Sequence, residues 1–174
     1  FYPVLKFYTL ADHRFDYRRY TISTGMQPYI AAGMLKLAEP YIKEHAQILD
    51  PLCGTGTFLI ERNYQKPARD SYGIDIFGEA IEKARVNAKI ANMHINYINR
   101  DFRDFKHEYL FDEIMTDMPQ KGALTYEELD GIYQKFFERA EELLRAEGLI
   151  LLYASEMGFV KKQLRLHEQF RLLK

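Results

Sequence analysis

Only one cysteine, Cys53, occurs among the 174 residues of this chain. A single cysteine excludes an internal disulfide framework and a cysteine-rich zinc site, and it fits a reducing compartment, so we expect a cytoplasmic protein. The five histidines show no metal-ligand spacing, and we expect no metal. The sequence also lacks a run apolar and long enough to cross a membrane, and its N-terminus lacks a signal-peptide pattern. We therefore expect no membrane partner.

An excess of positive charge is missing as well. The formal net charge is −1 at pH 7, and the isoelectric point of the sequence is about 6.6. A compact nucleic-acid-binding protein usually carries a clear basic excess. Any contact with RNA or DNA must then come from local patches or from a domain outside this sequence. Two patches of basic residues could contact phosphates, but a solvated surface explains each of them at least as well as nucleic-acid binding does. The patches are Arg14, Arg18 and Arg19 among tyrosines, and Lys161, Lys162, Arg165 and Arg171.

The sequence does contain a regular alternation of apolar strands and amphipathic helices, and its 47% hydrophobic content suits one globular domain. The predicted strands are 47–50, 72–76, 94–99, 111–116 and 149–154, with a last strand beginning near Phe170. The predicted helices are 27–38, 55–64, 78–92, 125–146 and 156–166, and Gly148 is expected to end the longest one. This order predicts an α/β sandwich with a mostly parallel sheet, helices on both faces, and ligands beyond the carboxyl ends of the strands.

Residues 48–60 combine a buried strand, a glycine loop and the start of a helix. Gly54 and Gly56 let backbone N–H groups approach a ligand closely, and the helix start favours negative charge. The next three residues include no glycine, which disfavours a dinucleotide, and no Walker-type lysine is present. Asp75 ends the next strand about twenty residues later, where a carboxylate can accept hydrogen bonds from a ribose. These features indicate an adenosine cofactor other than NAD.

Carboxylates recur where the predicted strands end. A single aspartate in such a place is usually a helix cap or a turn former. Four in successive units, the first beside a glycine loop, favour a ligand site along one edge of the sheet. These four residues are Asp50, Asp75, Asp101 and Asp117.

The loop Asp50-Pro51-Leu52-Cys53-Gly54-Thr55-Gly56-Thr57 resembles the cofactor loop of class I S-adenosylmethionine-dependent methyltransferases. More narrowly, the chain resembles the RNA methylases that carry an N-terminal THUMP domain and modify guanine N2. Three further motifs follow in the family's order, and the match runs from about residue 23 to residue 154. They are Gly73-Ile74-Asp75, Asn99-Arg100-Asp101-Phe102 and Thr116-Asp117-Met118-Pro119. The resemblance implies a Rossmann-like fold with S-adenosyl-L-methionine as the cofactor.

The resemblance also implies a role for each motif. The backbone of residues 53–57 would receive the methionine part of the cofactor, with Asp50 near its amino group. Asp75 would hold the ribose, Asp101 and Phe102 would lie at the adenine, and Ile76 would also bind the cofactor, while Gln27 and Pro28 would border it.

The motif Asp117-Met118-Pro119 would lie under the transferable methyl group. There the Asp117 carboxylate and the Met118 carbonyl could accept the two N–H bonds of an exocyclic amine, while Pro119 stiffens the loop. The family typically places an aromatic residue next, whose ring stacks on the target base. This chain has Gln120 at that place, and Tyr126 is a neighbour that could supply a ring.

Cys53 itself is expected to be a small packed residue rather than a nucleophile. With no second cysteine after the fourth predicted strand, the covalent route to methylated pyrimidines lacks its nucleophile.

The expected activity is methyl transfer to N2 of a guanosine in structured RNA, either tRNA or rRNA. Three alternatives stay open: an adenine-N6 DNA or RNA methyltransferase, a small-molecule methyltransferase, and a non-catalytic homologue that binds cofactor or RNA. Residues 1–23 are expected to be a lead-in segment with short strands, the end of a preceding domain or a linker. Residues 24–174 would form the catalytic domain, truncated before its last strand. An RNA-binding domain upstream of this chain would help to bind the RNA, and the sequence does not indicate an oligomeric state.

Overall fold

The computed structural model describes residues 13–122 and 124–173. Within these ranges, five strands alternate with α-helices along the chain. The strands are β1 (Gln47–Asp50), β2 (Asp70–Asp75), β3 (Asn96–Asn99), β4 (Phe111–Asp117) and β5 (Leu144–Tyr153). The helices are α1 (Pro28–Ala38), α2 (Thr57–Gln65), α3 (Gly78–Ile90), α4 (Tyr126–Leu143) and α5 (Met157–Leu166), with a 3-10 turn at Phe102–Asp104.

The strands form one parallel sheet in the order β3-β2-β1-β4-β5. The chain moves outward from the central β1 through β2 to β3, and then returns to add β4 and β5 on the other side. The direction of winding therefore changes between β1 and β4. In an open parallel sheet, ligands bind in the crevice beyond the carboxyl ends of the strands at such a switch point. The predicted parallel α/β sandwich is confirmed.

Adjacent residues of β1 point to opposite faces of the sheet and belong to two separate cores. Ile48 packs with buried residues of α1, α2 and α3, such as Leu35, whereas Leu49 packs with residues of α4 and α5, such as Phe136. Because helices cover both faces, all four residues of β1 are buried. This double burial explains why the strands are so apolar in sequence.

The junction between α4 and β5 differs from the prediction. The helix ends at Leu143 rather than near Ala146, and β5 begins with the next residue, so Gly148 lies inside the strand. Between two register pairs, Asp112 of β4 faces four residues of β5, 145–148. A Cβ at position 148 would lie 2.6 Å from a side-chain carbon of Leu144. The glycine thus permits close packing in a bulge and does not end the helix.

The predicted last strand is wrong, because residues 170–173 form no strand. Phe170 instead packs its ring against Phe137 of α4, with ring centroids 5.8 Å apart. The apolar residue that suggested a strand therefore anchors the chain after α5 to the core of α4.

Residues 13–23 form turns rather than the short strands that we expected there, and residues 1–12 lie outside the described residues. Tyr17 is buried in the core of α1, α2 and α3, and its hydroxyl donates a hydrogen bond to Glu61 of α2 at 2.5 Å. Arg18 donates to the backbone carbonyl of Met26 at 2.9 Å. The described part of the lead-in segment is therefore packed against the sandwich.

Candidate active site

The loop between β1 and α2 lies at the switch point of the sheet. Gly54 and Gly56 both have positive φ angles, 52° and 81°, and Gly56 immediately precedes α2. Residues that carry a side chain rarely adopt this left-handed backbone conformation, so glycine is favoured at both positions. The amide of Gly54 donates to the Asp75 carboxylate at 2.8 Å, which fixes the loop to the end of β2.

Tyr97 of β3 packs its ring against two glycines of this region. A Cβ on Gly56 would lie 2.1 Å from the Tyr97 hydroxyl oxygen, and a Cβ on Gly73 would lie 2.7 Å from ring carbons. The Tyr97 hydroxyl and the hydroxyl of Thr57, the first residue of α2, are buried without a hydrogen-bond partner among the described residues. Two polar atoms beside the glycine loop are thus left for a bound ligand to satisfy.

Asp75 is buried and accepts two backbone hydrogen bonds. Its Oδ2 accepts from the Gly54 amide and its Oδ1 from the Phe77 amide, both at 2.8 Å. An ionised carboxylate has about four acceptor positions, so each oxygen can still accept another bond. The side chain of the next residue, Ile76, is exposed at the same edge of the sheet. Asp75 therefore holds the loop in shape and keeps capacity for a ligand hydroxyl.

Asp50 lies at the end of β1 and is almost fully buried. It accepts hydrogen bonds from the Thr116 hydroxyl at 2.8 Å and from the Leu52 amide at 3.1 Å. The pKa of Asp50 is raised to about 8, mainly by burial and to a smaller extent by the charges of Asp117 and Asp75. Three of the four predicted carboxylates thus lie close enough to influence one another.

The motif Asp117-Met118-Pro119 begins with the last residue of β4, and its first two residues are held to the sheet. Met118 is buried, and its amide donates to the carbonyl oxygen of Tyr153 in β5 at 2.8 Å. Burial raises the pKa of Asp117 to about 6. Pro119 is half-buried, and Gln120 is exposed. A partly buried carboxylate thus stands at the carboxyl end of β4, beside the glycine loop.

The fourth carboxylate, Asp101, has a different environment. It caps the 3-10 turn and accepts from the Arg103 guanidinium at 2.8 Å, which lowers its pKa. The neighbouring Phe102 is buried in the core of α4 and α5. The structure therefore places Asp101 in a local ion pair and does not expose the ring of Phe102.

Gln27 and Pro28 begin α1. Pro28 occupies the first turn and is buried, while the Gln27 side chain accepts a hydrogen bond from Arg18 at 3.1 Å. Cys53 is also buried, and burial raises the pKa of its thiol. This environment agrees with a packed residue and disfavours a thiolate nucleophile.

Asn87 is a buried residue of this region that sequence reasoning missed. Its side-chain amide, inside α3, donates to the carbonyl oxygens of Thr55 at 3.1 Å and Tyr20 at 2.9 Å, and accepts from the Tyr20 amide at 3.0 Å. It therefore connects the glycine loop to the lead-in segment. An asparagine next to Ala88 on the apolar face of a helix was the available signal, because buried amides are usually hydrogen-bonded.

In the described part of the chain, no helix has both the length and the apolarity to span a bilayer. The same described residues contain no group of three or more His, Cys, Asp or Glu side chains that could hold a metal ion.

Two relatives are named as guanine-N2 methyltransferases of RNA. A tRNA (guanine(10)-N2)-dimethyltransferase from Methanothermobacter thermautotrophicus is 30% identical over 133 residues, which cover 75% of this chain and 38% of the relative. A U6 snRNA (guanine-N(2))-methyltransferase, THUMPD2 of Bos taurus, is 29% identical over 142 residues, which cover 80% of this chain and 27% of the relative. The chain thus spans well under half the length of either relative.

Solved structures share the fold. TrmN from Thermus thermophilus matches with a TM-score of 0.71 at 24% identity, covering 86% of this chain and 44% of that one. A SAM-dependent O-methyltransferase from Thermotoga maritima matches with a TM-score of 0.68 at 15% identity, covering 94% and 56%. A family model described as RMKL-like, methyltransferase domain, matches residues 16–172, and the chain belongs to this family of methyltransferases.

Proposed function

We propose that this chain is the catalytic domain of an RNA methyltransferase that uses S-adenosyl-L-methionine to methylate N2 of a guanosine. The observation that carries the proposal is the partly buried Asp117 carboxylate at the end of β4, beside a glycine loop that begins at the end of β1. The names of the two relatives support guanine N2 as the acceptor and RNA as the substrate.

The residues around the loop fit this cofactor. The left-handed glycines shape the loop that would receive the methionine part, and the hydroxyls of Thr57 and Tyr97, which have no hydrogen-bond partner among the described residues, supply polar groups. We assign Asp50 to the cofactor's amino group and Asp75 to its ribose, with Ile76 offering apolar surface to the adenine side. When bound, S-adenosyl-L-methionine supplies an electrophilic methyl group on a sulfonium.

The remaining predicted contacts are weaker. Asp101 could reach the adenine only by giving up part of its bonding to Arg103, and Phe102 would border the adenine through its backbone. Gln27 and Pro28 would border the methionine end, since α1 begins at the same edge of the sheet as the loop.

The chemistry that this chain supplies is orientation and charge stabilisation. The exocyclic amine of guanine is a poor nucleophile, because its lone pair is conjugated with the ring. Asp117 would accept one of its N–H bonds, and the Met118 carbonyl the other, so that the lone pair points at the methyl carbon. The carboxylate then stabilises the positive charge that develops on nitrogen and is placed to accept the proton. Pro119 restricts the loop that holds these two acceptors.

The proposal includes a substrate and a setting. The substrate would be a structured RNA such as tRNA or rRNA, bound with the help of an RNA-binding domain upstream of this chain. A base inside a helix would have to be extruded to reach Asp117. We place the protein in the cytoplasm.

A transfer assay with the full-length protein tests the proposal. Unmodified tRNA and rRNA are incubated with tritium-methyl cofactor, and the RNA is digested to nucleosides. Label in N2-methylguanosine is the expected result. Label in N6-methyladenosine would favour the adenine alternative, and label in neither RNA would contradict the RNA substrate. Calorimetry with S-adenosylhomocysteine then separates a cofactor binder with another substrate from a protein that binds no cofactor.

A further inference from the structure

The loop between Asp117 and α4 contains no aromatic ring that could stack on a target base, and the first ring after Asp117 is that of Tyr126. Among residues 117–126, Tyr126 is the single aromatic residue, and Gln120 is exposed but has no ring. A base held only by hydrogen bonds to Asp117 and Met118 would be free to tilt. Stacking on an aromatic ring is the usual way in which proteins hold an unpaired base.

Tyr126 is exposed at the correct edge of the sheet. It is the first residue of α4, the helix that follows β4, so it lies on the side of the strands' carboxyl ends. Its side chain is 58% exposed, although a tyrosine ring gains from burial. Phe77 and Tyr29, with 70% and 64% exposure, lie at the starts of α3 and α1 on the same side, but only Tyr126 follows the strand that carries Asp117.

The helix start that presents this ring is capped by reciprocal hydrogen bonds. Thr125 caps α4 and accepts from the Glu128 amide at 3.2 Å, while the Glu128 carboxylate accepts from the Thr125 amide at 2.8 Å. This capping box does not use the Tyr126 side chain. A ring on a fixed helix start loses little conformational entropy on binding, and its removal leaves the cap intact.

A row of rings connects Tyr126 with the surroundings of Asp117. The Tyr126 and Phe159 ring centroids are 6.4 Å apart, and those of Phe159 and Tyr133 are 5.4 Å apart. Tyr126 and Tyr133 are seven residues apart, so they share one face of α4. Burial raises the pKa of the Tyr133 hydroxyl, and the charges of Glu156 and Asp117 add to this rise, so Asp117 lies near this end of the row.

A cation already occupies the place that a base would take. The Lys121 ammonium lies 4.1 Å from the centroid of the Tyr126 ring. An exposed cation–π contact is weaker than the stacking of a base on a tyrosine. Lys121 can therefore leave the ring when a base arrives and pair with a phosphate of the same RNA.

We propose that Tyr126 is the stacking platform for the target guanine and that Lys121 contacts the adjoining phosphate. This inference rests on the proposed function and adds the residue that holds the base. Tyr126 positions the base, whereas Asp117 acts on the reacting nitrogen.

Steady-state kinetics of the full-length protein on unmodified tRNA provide the first test. Tyr126→Ala is expected to raise KM for the RNA about 5- to 150-fold, the range for loss of one stacked base. Tyr126→Phe should stay within about threefold of the parent, since it keeps the ring. Tyr109→Ala is the matched control, because Tyr109 is 54% exposed but precedes β4 at the opposite edge of the sheet. Affinity for S-adenosylhomocysteine should be the same in all three variants, which shows that the fold is intact.

A fluorescence test reports stacking directly and does not depend on turnover. The probe is an unstructured RNA heptamer with 2-aminopurine, which also carries a 2-amino group, at its centre. With S-adenosylhomocysteine present, the parent, Tyr126→Phe and Tyr109→Ala should quench the probe, and Tyr126→Ala should not. Equal quenching by Tyr126→Ala and the parent, or no quenching by the parent, would overturn the inference. If quenching depends on Tyr126 but no guanosine in tRNA or rRNA is methylated, the proposed function fails and the stacking role stands.

Discussion

At the scale of single residues, two carboxylates near the glycine loop, Asp50 and Asp117, differ in proton affinity because their surroundings differ. Asp50 is almost fully buried, and its pKa is raised to about 8, whereas burial raises the pKa of Asp117 to about 6. A carboxyl group with a raised pKa binds protons more readily in the folded state than in the unfolded state. Both groups therefore stabilise the fold at low pH, and this contribution is lost as the pH rises from about 4 to the folded-state pKa.

The raised pKa of Asp117 predicts the pH dependence of methyl transfer. The carboxylate accepts the N–H bond and stabilises the developing charge only when it is ionised. We expect kcat to fall as the pH is lowered through about 6, because Asp117 then becomes protonated. Steady-state rates between pH 5 and pH 8.5, at saturating cofactor and RNA, check this expectation.

Asp117→Asn is the matched variant, since it keeps the shape of the side chain and removes the titration. We expect its kcat to be lower by about 10²- to 10³-fold, as for the loss of one group that stabilises transition-state charge. Its residual rate should not fall at pH 6. A variant rate close to that of the parent would exclude Asp117 from the chemical step.

Asp50 predicts a proton release when the cofactor binds. At pH 7 its carboxyl group is mostly protonated in the cofactor-free chain, because its pKa is about 8. A cofactor ammonium beside it favours the carboxylate, so we expect about one proton to be released on binding at pH 7 and fewer at pH 9. Calorimetry in phosphate and in Tris measures this number, because the two buffers differ in ionisation enthalpy. Asp50→Asn should give equal enthalpies in both buffers, and equal enthalpies for the parent would contradict the assignment.

The sequence predicted these carboxylates better than it predicted their neighbours. Asp50, Asp75 and Asp117 end apolar strands of a parallel sheet, and that position can be read from a local pattern. The contact of Tyr97 in β3 with Gly56 in the loop, and the bond of Thr116 in β4 to Asp50 in β1, join residues that are far apart in the sequence. Such contacts depend on register and side-chain packing, which no local pattern encodes.

At the scale of the secondary-structure elements, α3 connects the glycine loop with the lead-in segment. Asn87→Ala removes the donor to the buried carbonyl of Thr55 and the partly buried carbonyl of Tyr20 and leaves both less satisfied. We expect the free energy of unfolding to fall by about 1–3 kcal/mol. Because Thr55 lies in the loop, the affinity for S-adenosylhomocysteine should fall as well. Thermal unfolding and calorimetry measure the two effects.

Asn63→Ala is the control for this variant. The Asn63 amide donates to the Leu59 carbonyl and the Ser71 hydroxyl, both at 2.9 Å, and these partners belong to neither the glycine loop nor the lead-in segment. It should lower stability by a similar amount and leave the affinity unchanged. If both variants reduced the affinity equally, Asn87 would have only a structural role.

Most elements were predictable because their periodicity is local. The predicted β1 has the observed bounds, and the predicted α3 and α5 differ by two residues or fewer at their ends. The errors at the α4–β5 junction and at Phe170 have a different cause. A glycine after a helical pattern is typical of a helix end, but Gly148 is required by the bulge against Leu144. Phe170 is apolar because it packs on Phe137, a tertiary contact that resembles a strand in sequence.

At the scale of the whole molecule, the charge of the chain is poorly matched to an RNA substrate. The sequence has 24 lysines and arginines against 25 aspartates and glutamates. Many of the basic side chains also have an acidic partner, such as Arg145 with Asp112 and Lys162 with Asp130. The affinity of proteins for RNA depends largely on the neutralisation of phosphates by basic side chains. This chain has no excess of basic side chains for that purpose.

This charge balance predicts how RNA affinity divides between the chain and the full-length protein. At 0.15 M salt, we expect the chain alone to bind unmodified tRNA at least about tenfold more weakly than the full-length protein does. The reason is that each phosphate contact adds to the affinity through counterion release. The slope of log affinity against log salt should also be shallower for the chain, since it reflects the number of phosphates neutralised. Filter binding at several salt concentrations gives both quantities. Equal affinities and equal slopes would mean that the sandwich itself supplies the whole RNA interface, through residues such as Lys121 and Tyr126. The proposal of an upstream RNA-binding domain would then be wrong.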